Sequence, residues 1–223
     1  AFMKKAFEYS EQYDTPVILH TTTRLSHSRE PVTEEPRIAN TEKPYVKNAA
    51  KNVMLPDFAR KRHIFVEERM EQLERECSDF DINTIEYQDM DIGIITGGIA
   101  YQYVKEAMPQ ASVLKLGIVN PLPKDLITAF AKKVKQLYIV EELEPVIQEK
   151  VQSWGIACQG KELFTRHGEY NVNLIRHGIL NEPLKEDITG DLMRRPPAFC
   201  PGCPHRAVFS LLKQMNYHVA GDI

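Results

Sequence analysis

Apolar residues recur at helical spacing near the start of the chain: Phe2, Met3, Ala6 and Phe7, with Tyr13 extending the stripe. The pattern predicts a helix over Ala1 to Tyr13, broken at Asp14-Thr15-Pro16. Val17-Ile18-Leu19 then reads as a buried strand running into His20-Thr21-Thr22-Thr23, because β-branched and aliphatic residues suit a covered sheet. A helix followed by a strand implies a sheet whose other strands are not evident nearby. From about Glu30 to Pro56 the chain is polar and carries Pro31, Pro36, Pro44 and Pro56, the composition of a long connecting loop. From Asp57 to about Cys77 the spacing of Phe58, Phe65, Met70, Leu73 and Cys77 predicts a charged amphipathic helix with Pro56 at its start.

The clearest unit lies between Asp91 and Gly155. Asp91 to Ile95 predicts a strand ending at Gly97-Gly98, and Tyr101 to Ala107 a helix. Ser112 to Val119 is a strand stopped by Asn120-Pro121-Leu122-Pro123. Lys124 to Lys133 is a helix, Leu137 to Val140 a third strand, and Pro145 to Trp154 a further helix after Glu141-Glu142. Strands alternating with helices at this spacing predict right-handed crossovers and a mostly parallel sheet, hence an α/β fold. Gly160 to Ile188 is polar and mixed, with one short helix expected. Arg194-Arg195-Pro196-Pro197 is a proline-stiffened linker. After it, Ala207, Val208, Leu211, Leu212 and Met215 form a helical stripe, and Tyr217 to Ala220 begins another strand.

Composition narrows the class. Of 223 residues, 43% are hydrophobic and 26% charged, an ordinary globular balance. No apolar run approaches the roughly 20 residues that span a bilayer. A net charge of -3 gives no electrostatic reason to expect nucleic acid. Four cysteines are too few for a disulfide scaffold, which points to a reducing, cytoplasmic setting.

The chemistry concentrates in Cys200-Pro201-Gly202-Cys203-Pro204-His205-Arg206. A C-x-x-C loop brings two thiols to one side, where they can ligate a metal or cluster, form a redox pair, or simply make a loop. Cys77 and Cys158 are isolated in helical surroundings and read as packing residues. A second candidate is the strand exit Thr21 to Arg29, where Arg24, Ser26 and His27 offer a cation, a hydroxyl and an imidazole to an anionic substrate. The alternative there is a turn whose hydroxyls satisfy themselves. Gly97-Gly98 lacks the G-x-G-x-x-G spacing and reads as a tight turn. Glu141-Glu142, just ahead of a helix, reads as serving the helix dipole. His167 and His177 read as surface groups.

Taken in order, TTTRLSHSR, GIITGGIAYQYVKEA, LGIVNPLP, LYIVEELEPVIQEKV, RRPPAFCPGCPHR and GDI resemble the large (alpha) subunit of indolepyruvate:ferredoxin oxidoreductases. The resemblance implies a thiamine-diphosphate enzyme with Mg2+ and iron–sulfur clusters. It would oxidatively decarboxylate arylpyruvates to aryl-acetyl-CoA, with ferredoxin, coenzyme A and a smaller beta subunit as partners in an oligomer. It also implies that the chain is an internal segment of the whole subunit. Residues 1–40 would end the pyrimidine-binding domain, and 41–90 would be a linker with the charged helix. Residues 91–190 would form the transketolase C-terminal-like parallel-sheet domain, and 191–223 would begin the diphosphate-binding domain. So placed, Cys200 and Cys203 match cluster ligands, and His205, Arg206, Gly221 and Asp222 fall at the cofactor-binding side. The activating glutamate would lie upstream and the metal–diphosphate motif downstream, so that the segment alone would bind no cofactor. The rival readings are a non-catalytic module for subunit assembly, and a thiamine enzyme such as a transketolase or synthase that needs no ferredoxin.

Overall fold

The computed structural model describes residues 2–34, 36–37, 39, 44–184 and 198–220. The chain divides into two compact units, Ala1–Leu184 and Lys185–Ile223.

The first unit is organised by strand β2 (Asp89–Gly97), which lies between β3 (Ala111–Leu116) and β4 (Gln136–Val140) and is parallel to both. A short β1 (Thr84–Glu86) adds an antiparallel edge, giving the order β1-β3-β2-β4. Side chains alternate across a strand, so neighbouring residues of β2 enter different cores. Ile94 joins Val113, Tyr138 and Val140 beneath helices α5 (Ala100–Ala107) and α8 (Val172–Leu180). Ile95 joins Leu114, Leu116, Leu137 and Ile139 beneath α6 (Lys124–Ala131) and α7 (Val146–Ser153). Each Ile is fully buried, a contribution of about 1.5–3 kcal/mol per side chain relative to exposure. The predicted helix–strand alternation from Asp91 to Gly155 and the short helix after Gly160 are both present, and the sheet is parallel as expected apart from β1. That strand escapes the sequence pattern because three residues are too short to show a period.

Close backbone approach defines two loops. Asn83 accepts from the backbone N–H groups of Gly117 (2.9 Å) and Ile118 (3.3 Å) and donates to the Cys77 carbonyl at 2.8 Å. A Cβ at Gly117 would lie 2.3 Å from the Ile82 carbonyl oxygen, so only glycine fits beneath this bridge.

The N-terminal helix α1 (Phe2–Tyr13) packs against the long charged helix α4 (Pro56–Glu76) and the turn that follows it. Tyr9 stacks on Phe80 with centroids 4.3 Å apart, and buried Tyr13 donates to Glu76. Asp14, at φ 50°, closes the helix. Its carboxylate accepts from Lys51 (2.6 Å), on the short α3 (Ala49–Asn52), and from Arg62 of α4 (2.7 Å). Its carbonyl accepts from Arg69.

Two strand expectations are corrected. Val17-Ile18-Leu19 is not a strand, and Ile18 is 88% exposed. The segment leads instead into a short helix, α2 (Thr23–His27). Tyr217–Ala220 is likewise unpaired among the described residues. Both segments have strand-forming side chains but no neighbouring strand to take their N–H and C=O groups, and a strand needs that partner. The linker Arg194 to Pro197 lies outside the described residues.

Two outcomes test this architecture. Gly117→Ala should lower unfolding free energy by roughly 1–3 kcal/mol through the forced backbone shift, read by urea denaturation. The Lys51 and Arg62 hydrogen bonds hold the Asp14 carboxyl below its ordinary value. A carboxylate depressed in this way stabilises the fold fully above the unfolded value near 3.9 and loses that contribution as pH falls through its folded value. Amide exchange in α1 should therefore accelerate, relative to the central sheet, as pH is lowered below about 4, once corrected for intrinsic exchange. Unchanged relative protection in α1 would contradict the role given to Asp14.

Candidate functional site

The dithiol motif is built on a turn. The Cys203 N–H donates to the Cys200 carbonyl at 3.1 Å, and Gly202 has φ 79°. Pro201 at the first corner and a left-handed glycine at the second are the type II combination. The turn runs through Pro204 into helix α9 (His205–Gln214). The Arg206 N–H donates to the Cys203 carbonyl at 3.2 Å, which joins turn and helix. Phe199, just before the turn, stacks on Phe209 of α9 with centroids 5.3 Å apart and planes at 18°. Cys203 Sγ lies 3.5 Å from His205 Nδ1. Both thiols are free, with Cys200 exposed and Cys203 half-buried.

Two reduced sulfurs on one turn suit half of a four-thiolate set. Among the described residues no group of three or more His, Cys, Asp or Glu side chains forms a metal site, so further ligands would come from elsewhere. Cys77 and Cys158 do not supply them. The Cys77 thiol is fully buried and donates to the carbonyls of Glu74 (3.4 Å) and Pro121 (3.8 Å). Cys158 packs against the second core. Burial pushes each thiol up to about 11, which keeps them neutral. His205 and Arg206 are exposed on the first turn of α9, where the helix dipole favours an anion. Gly221 and Asp222 lie outside the described residues.

Arg24, Ser26 and His27 lie on α2, in the other unit. Thr22 caps the helix by accepting from the Leu25 N–H at 3.3 Å. The Ser26 hydroxyl donates to the Thr22 carbonyl at 3.0 Å, and the Ser28 hydroxyl to the Leu25 carbonyl at 2.7 Å. The hydroxyls are thus satisfied locally. Arg24 pairs with Glu169, its Nε 2.7 Å from Oε2, and lies over the Tyr103 ring at 5.6 Å. His27 is exposed.

A polar cluster that the sequence pattern does not reveal closes the end of β4. Buried Glu141 accepts from the N–H groups of Ile147 and Gln148, each at 2.9 Å, and so caps α7. Lys161 donates to the Glu141 carbonyl (2.5 Å) and to the Tyr170 hydroxyl (2.6 Å). Buried Gln148 accepts from the Lys161 N–H at 2.7 Å and donates to both oxygens of Glu162 at 2.9 and 2.8 Å. A Cβ at Gly160 would lie 2.4 Å from Gln148 Oε1. Burial pushes the Glu141 carboxyl up and the Lys161 ammonium down from their ordinary values. With every one of these groups hydrogen-bonded, the cluster orders a helix start and a loop. The helix-dipole reading of Glu141 holds, and adjacency to a strand end was the only signal available for its partners. Gly98, with φ 59°, makes the tight turn expected after β2. His177 is half-buried rather than on the surface, with Nδ1 2.7 Å from the Glu182 carbonyl, so it braces the end of α8.

Fold and turn together describe a parallel α/β domain followed by a dithiol turn that opens a helix. No protein-family model matches the chain. Curated relatives do. Indolepyruvate oxidoreductase subunit IorA of Thermococcus kodakarensis is 35% identical over 95% of this chain and 37% of its own length. The IorA subunit of Archaeoglobus fulgidus is 33% identical over 96% and 38%, and that of Methanothermobacter thermautotrophicus 32% over 99% and 39%. A solved 2-oxoglutarate:ferredoxin oxidoreductase from Magnetococcus marinus superposes with TM-score 0.44 at 17% identity, over 56% of this chain and 24% of its own. The resemblance read from the motifs thus holds along nearly the whole chain, and the chain spans 37–39% of the length of these relatives.

The Glu141 cap gives a direct test. Glu141→Gln leaves one carbonyl oxygen for two N–H donors, so stability should fall by about 1–3 kcal/mol. Urea unfolding with an unchanged m-value should report it.

Proposed function

We propose that the chain is a segment of the alpha subunit of a thiamine-diphosphate-dependent 2-oxoacid:ferredoxin oxidoreductase. The whole enzyme converts arylpyruvates of the indolepyruvate class to aryl-acetyl-CoA and passes electrons to ferredoxin. One observation carries the reading: similarity to IorA subunits over nearly the whole chain, with the dithiol turn inside it. In this reading the protein works in the cytoplasm with a smaller beta subunit, coenzyme A and ferredoxin. Residues 1–40 complete the pyrimidine-binding domain, 91–190 form the transketolase C-terminal-like domain, and 191–223 begin the diphosphate-binding domain. No helix among the described residues is long and apolar enough to cross a membrane.

Each group then has a task. Thiamine diphosphate with Mg2+ supplies the electron sink for decarboxylation, while the protein supplies orientation and electrostatics. Cys200 and Cys203 are two of the thiolate ligands of an iron–sulfur cluster. Pro201 and Gly202 set the corner of the turn that carries them. His205 and Arg206, with Gly221 and Asp222, lie toward the diphosphate, where the first turn of α9 favours negative charge. Arg24, Ser26 and His27 are the substrate-side candidates. Glu169 occupies the edge of the Arg24 guanidinium that a 2-oxoacid carboxylate would take, so substrate binding there exchanges one carboxylate for another.

The test uses the intact alpha subunit with its beta partner, purified without oxygen. Cys200→Ser with Cys203→Ser should remove one cluster's iron and sulfide and sharply slow indolepyruvate-dependent ferredoxin reduction. Unchanged iron would overturn the ligand assignment and leave the motif a loop. The 223-residue chain alone should show no thiamine diphosphate binding by calorimetry. Turnover by that chain would contradict its reading as a segment.

A further inference from the structure

A type II turn does more than present two sulfurs to a metal: it also brings them to disulfide distance. A hydrogen-bonded β-turn holds its first and fourth Cα atoms within about 7 Å, and disulfides join Cα atoms about 4.4–6.8 Å apart. The Cys203 N–H to Cys200 carbonyl bond of 3.1 Å and the left-handed Gly202 hold the two backbones within that turn limit while both thiols are free. Cys200 is exposed and Cys203 only half-buried, so a small disulfide can reach them. Cys77 is buried, and burial keeps the Cys77 and Cys158 thiols protonated, so neither is a ready nucleophile.

We propose that Cys200 and Cys203, when free of metal, close an intramolecular disulfide by exchange with a low-molecular-weight disulfide such as oxidised glutathione, and that closure withholds them from cluster assembly. The second clause rests on the ligand assignment above. One cysteine thiolate attacks glutathione disulfide and releases the first glutathione. The other attacks the resulting mixed disulfide at the protein sulfur and releases the second. The protein thiols lose two electrons, glutathione disulfide gains them, and the two thiol protons end on the two glutathiones.

The metal-free 223-residue chain is equilibrated in glutathione buffers of graded redox poise, acid-quenched, alkylated and digested. The peptide spanning Cys200 and Cys203 should lose two hydrogens in mass, reversibly with dithiothreitol. Cys200→Ser and Cys203→Ser should each stop at a mixed glutathione adduct. Gly202→Val, which strains the left-handed corner, should require about tenfold more oxidising buffer for half-closure. Mixed adducts on both cysteines of the unaltered chain, with no internal disulfide, would overturn the proposal. The consequence is read separately, as iron and sulfide uptake by the apo form of the intact alpha subunit. Closure should abolish uptake at this site, and dithiothreitol should restore it. If the disulfide forms but iron uptake is the same with both cysteines replaced, the ligand assignment fails and disulfide closure stands.

Discussion

The first unit depends on β2 lying between two parallel neighbours. Because β3 and β4 take up hydrogen bonds on both sides, its residues can alternate between two apolar layers, and Ile94 and Ile95 are each fully buried in a different core. Slipping the strand by one residue would exchange the two faces along its length. The helices follow from this: α5 and α8 cover one layer, α6 and α7 the other. Gly93 belongs to the same constraint, since a Cβ there would lie 2.6 Å from Val134.

A sheet of this kind leaves polar groups at the carboxyl ends of its strands, and here those at the ends of β3 and β4 are hydrogen-bonded. Asn83 ties the end of β3, and Glu141, Gln148, Lys161 and Tyr170 tie the end of β4. Such groups are costly when half satisfied. At the ends of β3 and β4 the pairing orders loops and a helix start, whereas Thr96, at the end of β2, is buried with its hydroxyl unpaired. The exposed and half-buried thiols, Cys200 and Cys203, lie on the dithiol turn, in the other compact unit.

How much of this was legible in the sequence follows from periodicity. The strands and helices from Asp91 to Trp154 show clear periods and turn residues, and the structure contains them. Val17 to Leu19 and Tyr217 to Ala220 look like strands because side chains report what a segment prefers, whereas pairing depends on a neighbour that side chains do not encode. Helix α2 was hidden by its composition: Thr22, Ser26 and Ser28 suggest a turn, and they stabilise a single helical turn through bonds to local carbonyls and N–H groups. The dithiol stood out because cysteine pairs at this spacing are chemically distinctive. The pairing of Arg24 with Glu169 spans distant parts of the chain, and no local pattern foretells such a contact.

Helix α9 has no buried side chain among those described, and Val208, Leu211 and Met215 are each more than half exposed. A helix of ten residues is below the roughly 12–15 at which isolated helices become even marginally stable in water. Covering that apolar stripe would therefore add to the helix's stability. The Phe199–Phe209 stack and the Arg206 N–H bond to Cys203 transmit that stability to the two sulfurs. The spacing of the thiols is thus thermodynamically linked to solvent exclusion one to three helical turns away. Any surface that wets or dries the α9 stripe changes the entropic cost of holding both sulfurs ready at once.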